Sequence, residues 1–225
     1  QICTNVDYLF LPEEKVDEFV RRARDMVQLP YPDINGNDYT SIIDDRSYQR
    51  LEATLEDARR KGAKLVNLVE GQAPERALRK FPPHIVLNPT DEMDILQREI
   101  FGPLLPIKTY RTRQEVADYV TARPRPLAFY IYTRDKHLQD WYTTHVMSGG
   151  VSINDGLIHA GLHALPFGGI GNSGMGHYHG IEGFTTFSKM RPIFKQGPIR
   201  PLNRMMPPYD KGAFKLLNLM LRLKS

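Results

Sequence analysis

Leu165-Pro166-Phe167-Gly168-Gly169-Ile170-Gly171-Asn172-Ser173-Gly174-Met175-Gly176 is the densest run of glycine in the chain, and its reading decides the fold. Glycine loses the most backbone freedom on ordering, so five glycines from Gly168 to Gly176 exclude a stable helix or a central strand. They suit backbone that turns tightly or passes close to a neighbour. A solvated surface loop is the ordinary reading of such composition. Phe167 before the run, and Phe184 and Phe187 after it, argue for a segment pinned to a core. A phosphate-binding dinucleotide turn would need a strand before it and a helix opened by it, and that context is missing here.

Working outward, strands and helices alternate. Tyr8 to Leu11 is a short apolar run closed by Pro12, which reads as a buried strand. Glu13 to Gln28 reads as a helix, with Val16, Phe19, Val20, Ala23 and Val27 at helical spacing. Ser47 is the expected cap of a second helix, Tyr48 to Lys61, closed by Gly62. Further strands are expected at Ala63 to Val69, His84 to Asn88, Leu104 to Tyr110, Ala128 to Thr133 and Val151 to Asn154. Helices are expected at Arg113 to Ala122, Asp135 to Val146 and Ala213 to Leu223. This alternation indicates an α/β fold with a mostly parallel sheet flanked by helices. After Ser188, Pro192, Pro198, Pro201, Pro207 and Pro208 predict an extended C-terminal arm. The boundaries read as one α/β domain over 1–190, then an arm and short helix over 191–225.

The 225 residues, 41% hydrophobic and 25% charged, are ordinary for a globular protein with a sizeable core. No stretch is long and apolar enough to span a membrane, and no secretory signal pattern is visible. The first residue is Gln1, which suits a fragment or a processed product. Net charge is +4. The tail from Lys189 concentrates it: Lys189, Arg191, Lys195, Arg200, Arg204, Lys211, Lys215, Arg222 and Lys224 face Asp210 alone. Without interleaved aromatics this reads as a solvated or subunit-docking arm, with no nucleic-acid partner expected. Membrane association is likewise not expected, although the apolar final helix carries Lys215 and Arg222.

The single cysteine, Cys3, rules out an intrachain disulfide framework and fits a reducing compartment, read as cytoplasmic. A lone cysteine is more often inert than nucleophilic. His159 and His163 stand four apart, and His177 and His179 two apart. Gly156 and Gly161 spoil the helix a histidine pair would need, so no metal site is expected. Glu99, taken alone, is an ordinary surface carboxylate.

Taken together, three motifs are more specific. Gln1-Ile2-Cys3 resembles the end of the active-site signature of the aldehyde dehydrogenase superfamily. Glu99-Ile100-Phe101-Gly102-Pro103 resembles its Glu-x-Phe-Gly-Pro segment, and Leu165 to Gly176 its C-terminal glycine-rich segment. They occur in the family's order. Gly171 to Gly180, followed by Thr186-Phe187-Ser188, resembles the class 3 branch, most like its coniferyl aldehyde dehydrogenases. The resemblance runs from Cys3 nearly to the C-terminus. It implies an aldehyde dehydrogenase catalytic-domain fold whose N-terminal coenzyme domain, general base and oxyanion-hole asparagine are absent from this chain. It further implies a Cys3 nucleophile acting through a thiohemiacetal and a thioester, with NAD or NADP as cofactor. By the same resemblance Glu99 and Phe101 would bind that cofactor, while Asn154, His159, His163 and Phe167 would wall the pocket of an aromatic or long-chain aldehyde. The intact enzyme would be a homodimer, and the fragment alone would be inactive. The competing reading is a non-enzymatic interaction lobe whose arm pairs between subunits.

Overall fold

Side chains alternate across a strand, and β1 (Leu9–Pro12) of the computed structural model uses both of its faces. Leu9 and Leu11 pack with helix α1 (Val16–Gln28), whose apolar residues Val16, Phe19, Val20, Ala23 and Val27 all face that core. Phe10, with Tyr8 just before the strand, turns the other way, onto a core built from α4 (Arg113–Thr121) and α5 (Lys136–His145). The structure describes residues 1–200, 203, 206, 207 and 209–223. Pro201, Arg204, Pro208 and Lys224, named above for the arm and its charge, lie outside the described residues.

The first sheet has the order β1-β4-β3-β2. Its other strands are β2 (Lys64–Asn67), β3 (His84–Leu87) and β4 (Leu104–Tyr110). β4 runs parallel to both β1 and β3, and β2 closes the sheet antiparallel to β3. Pro12 is tolerated inside β1 because β1 is an edge strand. Helix α1 covers one face, where it meets Val66, Ile85 and Ile107. Helix α2 (Asp45–Arg60) covers the other, placing Tyr48, Leu51 and Ala58 against Val86 and Leu104. The second sheet is a parallel pair, β5 (Ala128–Ile131) and β6 (Gly150–Ile153), in the register Tyr130 to Ser152. The fold is α/β with a mostly parallel sheet flanked by helices, as the alternating pattern predicted.

Several local expectations are corrected. Asp44, not Ser47, caps α2: its carboxylate accepts from the Ser47 backbone N–H at 2.7 Å, so the helix begins at Asp45. At its other end Ala63 N–H reaches Ala58 O and Gly62 N–H reaches Arg59 O, both at 3.0 Å, a Schellman closure with Lys61 at the C-cap. A short helix, α3 (Asp94–Gln97), lies between β3 and β4 where no element was expected. Another, α6 (Gly180–Thr186), forms despite two glycines. Phe184 and Phe187, read as pins to a core, are 70% and 88% exposed.

By contact the chain divides into Gln1–Thr186 and Phe187–Ser225. In the second unit residues 189–200 carry no helix or strand. Helix α7 (Lys211–Leu223) begins beside Asp210, whose carboxylate accepts from Ala213 N–H at 2.9 Å.

Candidate active site

Cys3 sits at the tip of a turn in which Asn5 N–H donates to Ile2 O at 3.0 Å. The thiol is exposed, whereas Thr4 beside it is buried. Gln1 anchors the turn from upstream. Its side-chain N–H donates to Ser41 O at 3.0 Å, and its side-chain carbonyl accepts from Ile43 N–H at 2.9 Å. On the downstream side the Tyr130 hydroxyl donates to Thr4 O at 2.6 Å.

Asp7 then joins this segment to Glu99-Ile100-Phe101: its carboxylate accepts from Ile100 N–H at 2.8 Å. Burial pushes the Asp7 carboxyl above the usual range, with the Ile100 bond opposing and the Glu99 charge adding. Phe101 takes a left-handed backbone, φ 51°, and the residue is 37% exposed. That turn needs Gly102 behind it, since a Cβ there would stand 2.5 Å from a Leu51 methyl in the core. Glu99 is exposed, and its carboxylate hydrogen-bonds to nothing among the described residues. Cys3, Asp7, Glu99, Phe101 and Tyr130 line one cleft of about 1200 Å³.

The glycine run reaches the same cleft through Asn172 and Ser173. It is a hairpin closed on itself. Phe167 and Tyr178 exchange two backbone hydrogen bonds of 2.9 Å. Above them a Cβ on Gly168 would lie 2.2 Å from Gly176 O, and one on Gly169 would lie 2.0 Å from Ser173 O. Close backbone approach therefore explains these glycines, and what they approach is their own segment. Gly149, ahead of β6, packs under the hairpin, since its Cβ would meet Gly168 O at 2.3 Å.

Profile comparison matches residues 1–193 to the aldehyde dehydrogenase family. The chain belongs to the aldehyde dehydrogenase family. It is 42% identical over 222 residues to a probable coniferyl aldehyde dehydrogenase of Caulobacter vibrioides, covering 96% of this chain and 46% of that protein. It is 43% identical over 225 residues to a coniferyl aldehyde dehydrogenase of a Pseudomonas species, covering 98% and 47%. The chain thus spans about half the length of the curated aldehyde dehydrogenases it matches. Among solved structures, a substrate-bound Staphylococcus aureus AldH superposes with a TM-score of 0.80 at 32% identity, over 96% of this chain and 46% of that one.

Within this aldehyde dehydrogenase half, Asn154, His159, His163 and Phe167 are not among the residues that line the cleft. Asn154 stands behind it: its side-chain carbonyl accepts from Thr133 N–H at 2.9 Å, and its own N–H donates to Ile131 O at 2.7 Å. His159 is buried over Gly150, with Nδ1 3.0 Å from Ser152 Oγ. Burial pushes its pKa down, since desolvation disfavours the charged ring. Phe167 lies 5.9 Å from the His159 ring and 6.0 Å from His179, which lies 4.9 Å from His163. His159, Phe167, His179 and His163 thus form one chain of rings, and Asn154 stands apart from it against Thr133 and Ile131.

Among the described residues no three His, Cys, Asp or Glu side chains are placed to hold a metal ion. No helix among them is long and apolar enough to cross a membrane. Sequence reasoning missed Asp7 and Tyr130. Asp7 left a signal, a lone carboxylate inside the apolar run Val6 to Leu11. Tyr130, inside Ala-Phe-Tyr-Ile, reads only as a strand residue.

Proposed function

We propose that the chain is the nucleophile-bearing half of an enzyme that oxidises an aromatic or long-chain aldehyde, of the coniferyl aldehyde kind, to its carboxylic acid. The observation that supports this reading best is the gathering of Cys3, Glu99 and Phe101 on one cleft, from segments tied together by the Asp7 to Ile100 bond. NAD or NADP fits the residues present. Glu99 offers a free acceptor for a ribose hydroxyl, and Phe101 beside it offers a flat apolar face for the nicotinamide ring.

In this mechanism the Cys3 thiolate attacks the aldehyde carbon, forming an S–C bond and pushing the carbonyl electrons onto oxygen. The Cys3 backbone N–H, which donates to no other backbone group among the described residues, holds that oxyanion. When bound, the coenzyme would supply the acceptor for the hydride lost from the former aldehyde carbon as the oxyanion re-forms its carbonyl. Cys3 is left carrying a thioester, which water opens to release the acid and return the thiolate. Glu99 and Phe101 orient and do not react, and fixed geometry of this kind lowers the barrier. Asn154, His159, His163 and Phe167 support the substrate side from behind the lining, with Asn154 holding Thr133. The 225-residue chain alone is proposed to be inactive, because it spans about half of its relatives. The whole protein is proposed to act as a homodimer in the cytoplasm.

The test is nicotinamide reduction by the full-length protein with coniferaldehyde or benzaldehyde, using NAD or NADP. Cys3→Ser should lower kcat by about 10⁴-fold or more, since a nucleophile has no substitute. Undiminished turnover by Cys3→Ser would overturn the reading. Turnover by the 225-residue chain alone would overturn only the claim that this half is insufficient.

A further inference from the structure

Cys3 stands at an exposed turn, yet attack on a carbonyl demands a sulfur held within reach and in line. The turn's own bond, Asn5 N–H to Ile2 O, holds one side of it. What holds the other side is a residue distant in the chain. We propose that Tyr130 is a positioning residue whose hydroxyl, by donating to the Thr4 carbonyl, holds the Cys3 turn in its attacking geometry. The inference rests on Cys3 being the nucleophile.

Three observations converge. The bond is short, 2.6 Å, and spans 126 residues of chain, so it is tertiary and not an accident of a local turn. Its acceptor belongs to Thr4, only 5% exposed, so the carbonyl has little water to replace the phenol. Tyr130 is itself fixed. Its strand pairs it with Ser152, and its ring stands edge-on to buried His159 at 5.8 Å. His159 is in turn bonded to Ser152 Oγ. The second sheet thus carries a rigid donor to the backbone of the residue that follows the nucleophile. Burial raises the Tyr130 pKa above the usual tyrosine value, with the Leu157 backbone and the Thr4 side chain pulling it back, so the hydroxyl stays protonated and able to donate. The nearby Cys3 sulfur acts on it in the same upward direction.

The hydroxyl is committed to the Thr4 carbonyl, so its removal should act on kcat more than on substrate binding. In the full-length protein Tyr130→Phe is expected to lower kcat about 10- to 100-fold, with KM changed less than about threefold. Without substrate, the Asn5 amide should exchange with solvent about 2- to 10-fold faster, while amides at Ile131 and Asn154 keep their parental rates. A second variant, 4-aminophenylalanine in place of Tyr130, keeps a para donor and should restore both readouts. A parental Asn5 exchange rate in Tyr130→Phe overturns the clamp whatever the protein's activity proves to be. So does a loss of kcat matched by an equal rise in KM. Should the phenylalanine variant fail to fold, the aminophenylalanine variant decides alone: faster Asn5 exchange despite a retained donor refutes the proposal. Failure of the catalytic reading is separable, because it appears as activity that survives Cys3→Ser.

Discussion

Replacing Gly168 by alanine probes the glycine hairpin where its logic is most exposed. The new methyl would stand 2.2 Å from Gly176 O and 2.9 Å from His177 Cα, and both neighbours are backbone. Ordinary contact begins at 3.4 Å, so the two arms must part by about 1.2 Å. That stretch would take the two 2.9 Å bonds between Phe167 and Tyr178 to about 4 Å, past the hydrogen-bond limit. Two backbone bonds contribute about 1–3 kcal/mol together. Residual overpacking costs a further 1–3 kcal/mol or so. A central figure of about 4 kcal/mol corresponds to a fall in Tm of roughly 8–16 °C for a chain of this length. Gly171→Ala is the control. Gly171 has φ +64° and no neighbour within 4 Å, so alanine there meets only left-handed backbone strain. That strain is about 1–2 kcal/mol. Differential scanning calorimetry gives the two shifts, and amide exchange at Phe167 and Tyr178 reports whether the hairpin base has opened. Gly168→Ala melting within 1 °C or so of the parent, or above Gly171→Ala, would refute backbone contact as the reason for glycine here.

Asp7→Ala should cost about 1–3 kcal/mol in urea unfolding by orphaning the Ile100 N–H, whereas Asp7→Asn keeps an acceptor and should stay within about 1 kcal/mol at neutral pH. The folded Asp7 pKa is raised by burial, so its contribution is largest below the unfolded value and is lost as pH rises through the folded one. Asp7→Asn should flatten that segment of the stability–pH curve, and an unchanged slope would count against it. Gly102→Ala should cost about 1–3 kcal/mol through its 2.5 Å encounter with Leu51, and in a Leu51→Ala background the penalty should nearly vanish. Additive losses in that double-mutant cycle would contradict the packing argument. Burial lowers the folded His159 pKa, so its contribution is whole above the unfolded value near 6.5 and is lost as pH falls from there toward the folded value. His159→Phe should therefore lose less Tm than the parent between about pH 7 and pH 5, and equal losses would discount the histidine.

The parts of the fold that could be read from sequence are those where period and burial agree. Val16, Phe19, Val20, Ala23 and Val27 face one core because helical spacing leaves them no alternative. Leu104–Tyr110 is a strand over the predicted residues. The misreadings lie where a tertiary partner outweighs local preference. Gly180 and Gly183 argue against α6, yet that segment is helical and its Thr186 hydroxyl donates to His177 O at 3.0 Å. Phe184 and Phe187 are apolar by type, but side-chain type alone does not specify burial. Cys3, Glu99 and Phe101 stood out through motif resemblance, and the cleft brings them together. Asn154, His159, His163 and Phe167 stood out through the same resemblance, and the structure sets them outside the cleft lining, with His159 and Phe167 5.9 Å apart. Tyr130 could not be found from sequence, because its importance lies in a carbonyl 126 residues away.

Strand β1 carries a further consequence. Its alternate residues serve two different cores, and Cys3 lies only a few positions upstream. A volume change at Ala117 or Val120, neither of which lines the cleft, is expected to reach Phe10 and so the peptide chain leading to the proposed nucleophile, Cys3. Neutral drift in the interior of this protein would therefore surface as kinetic variation, and a library selected for turnover should recover substitutions in both cores alongside those in the cleft.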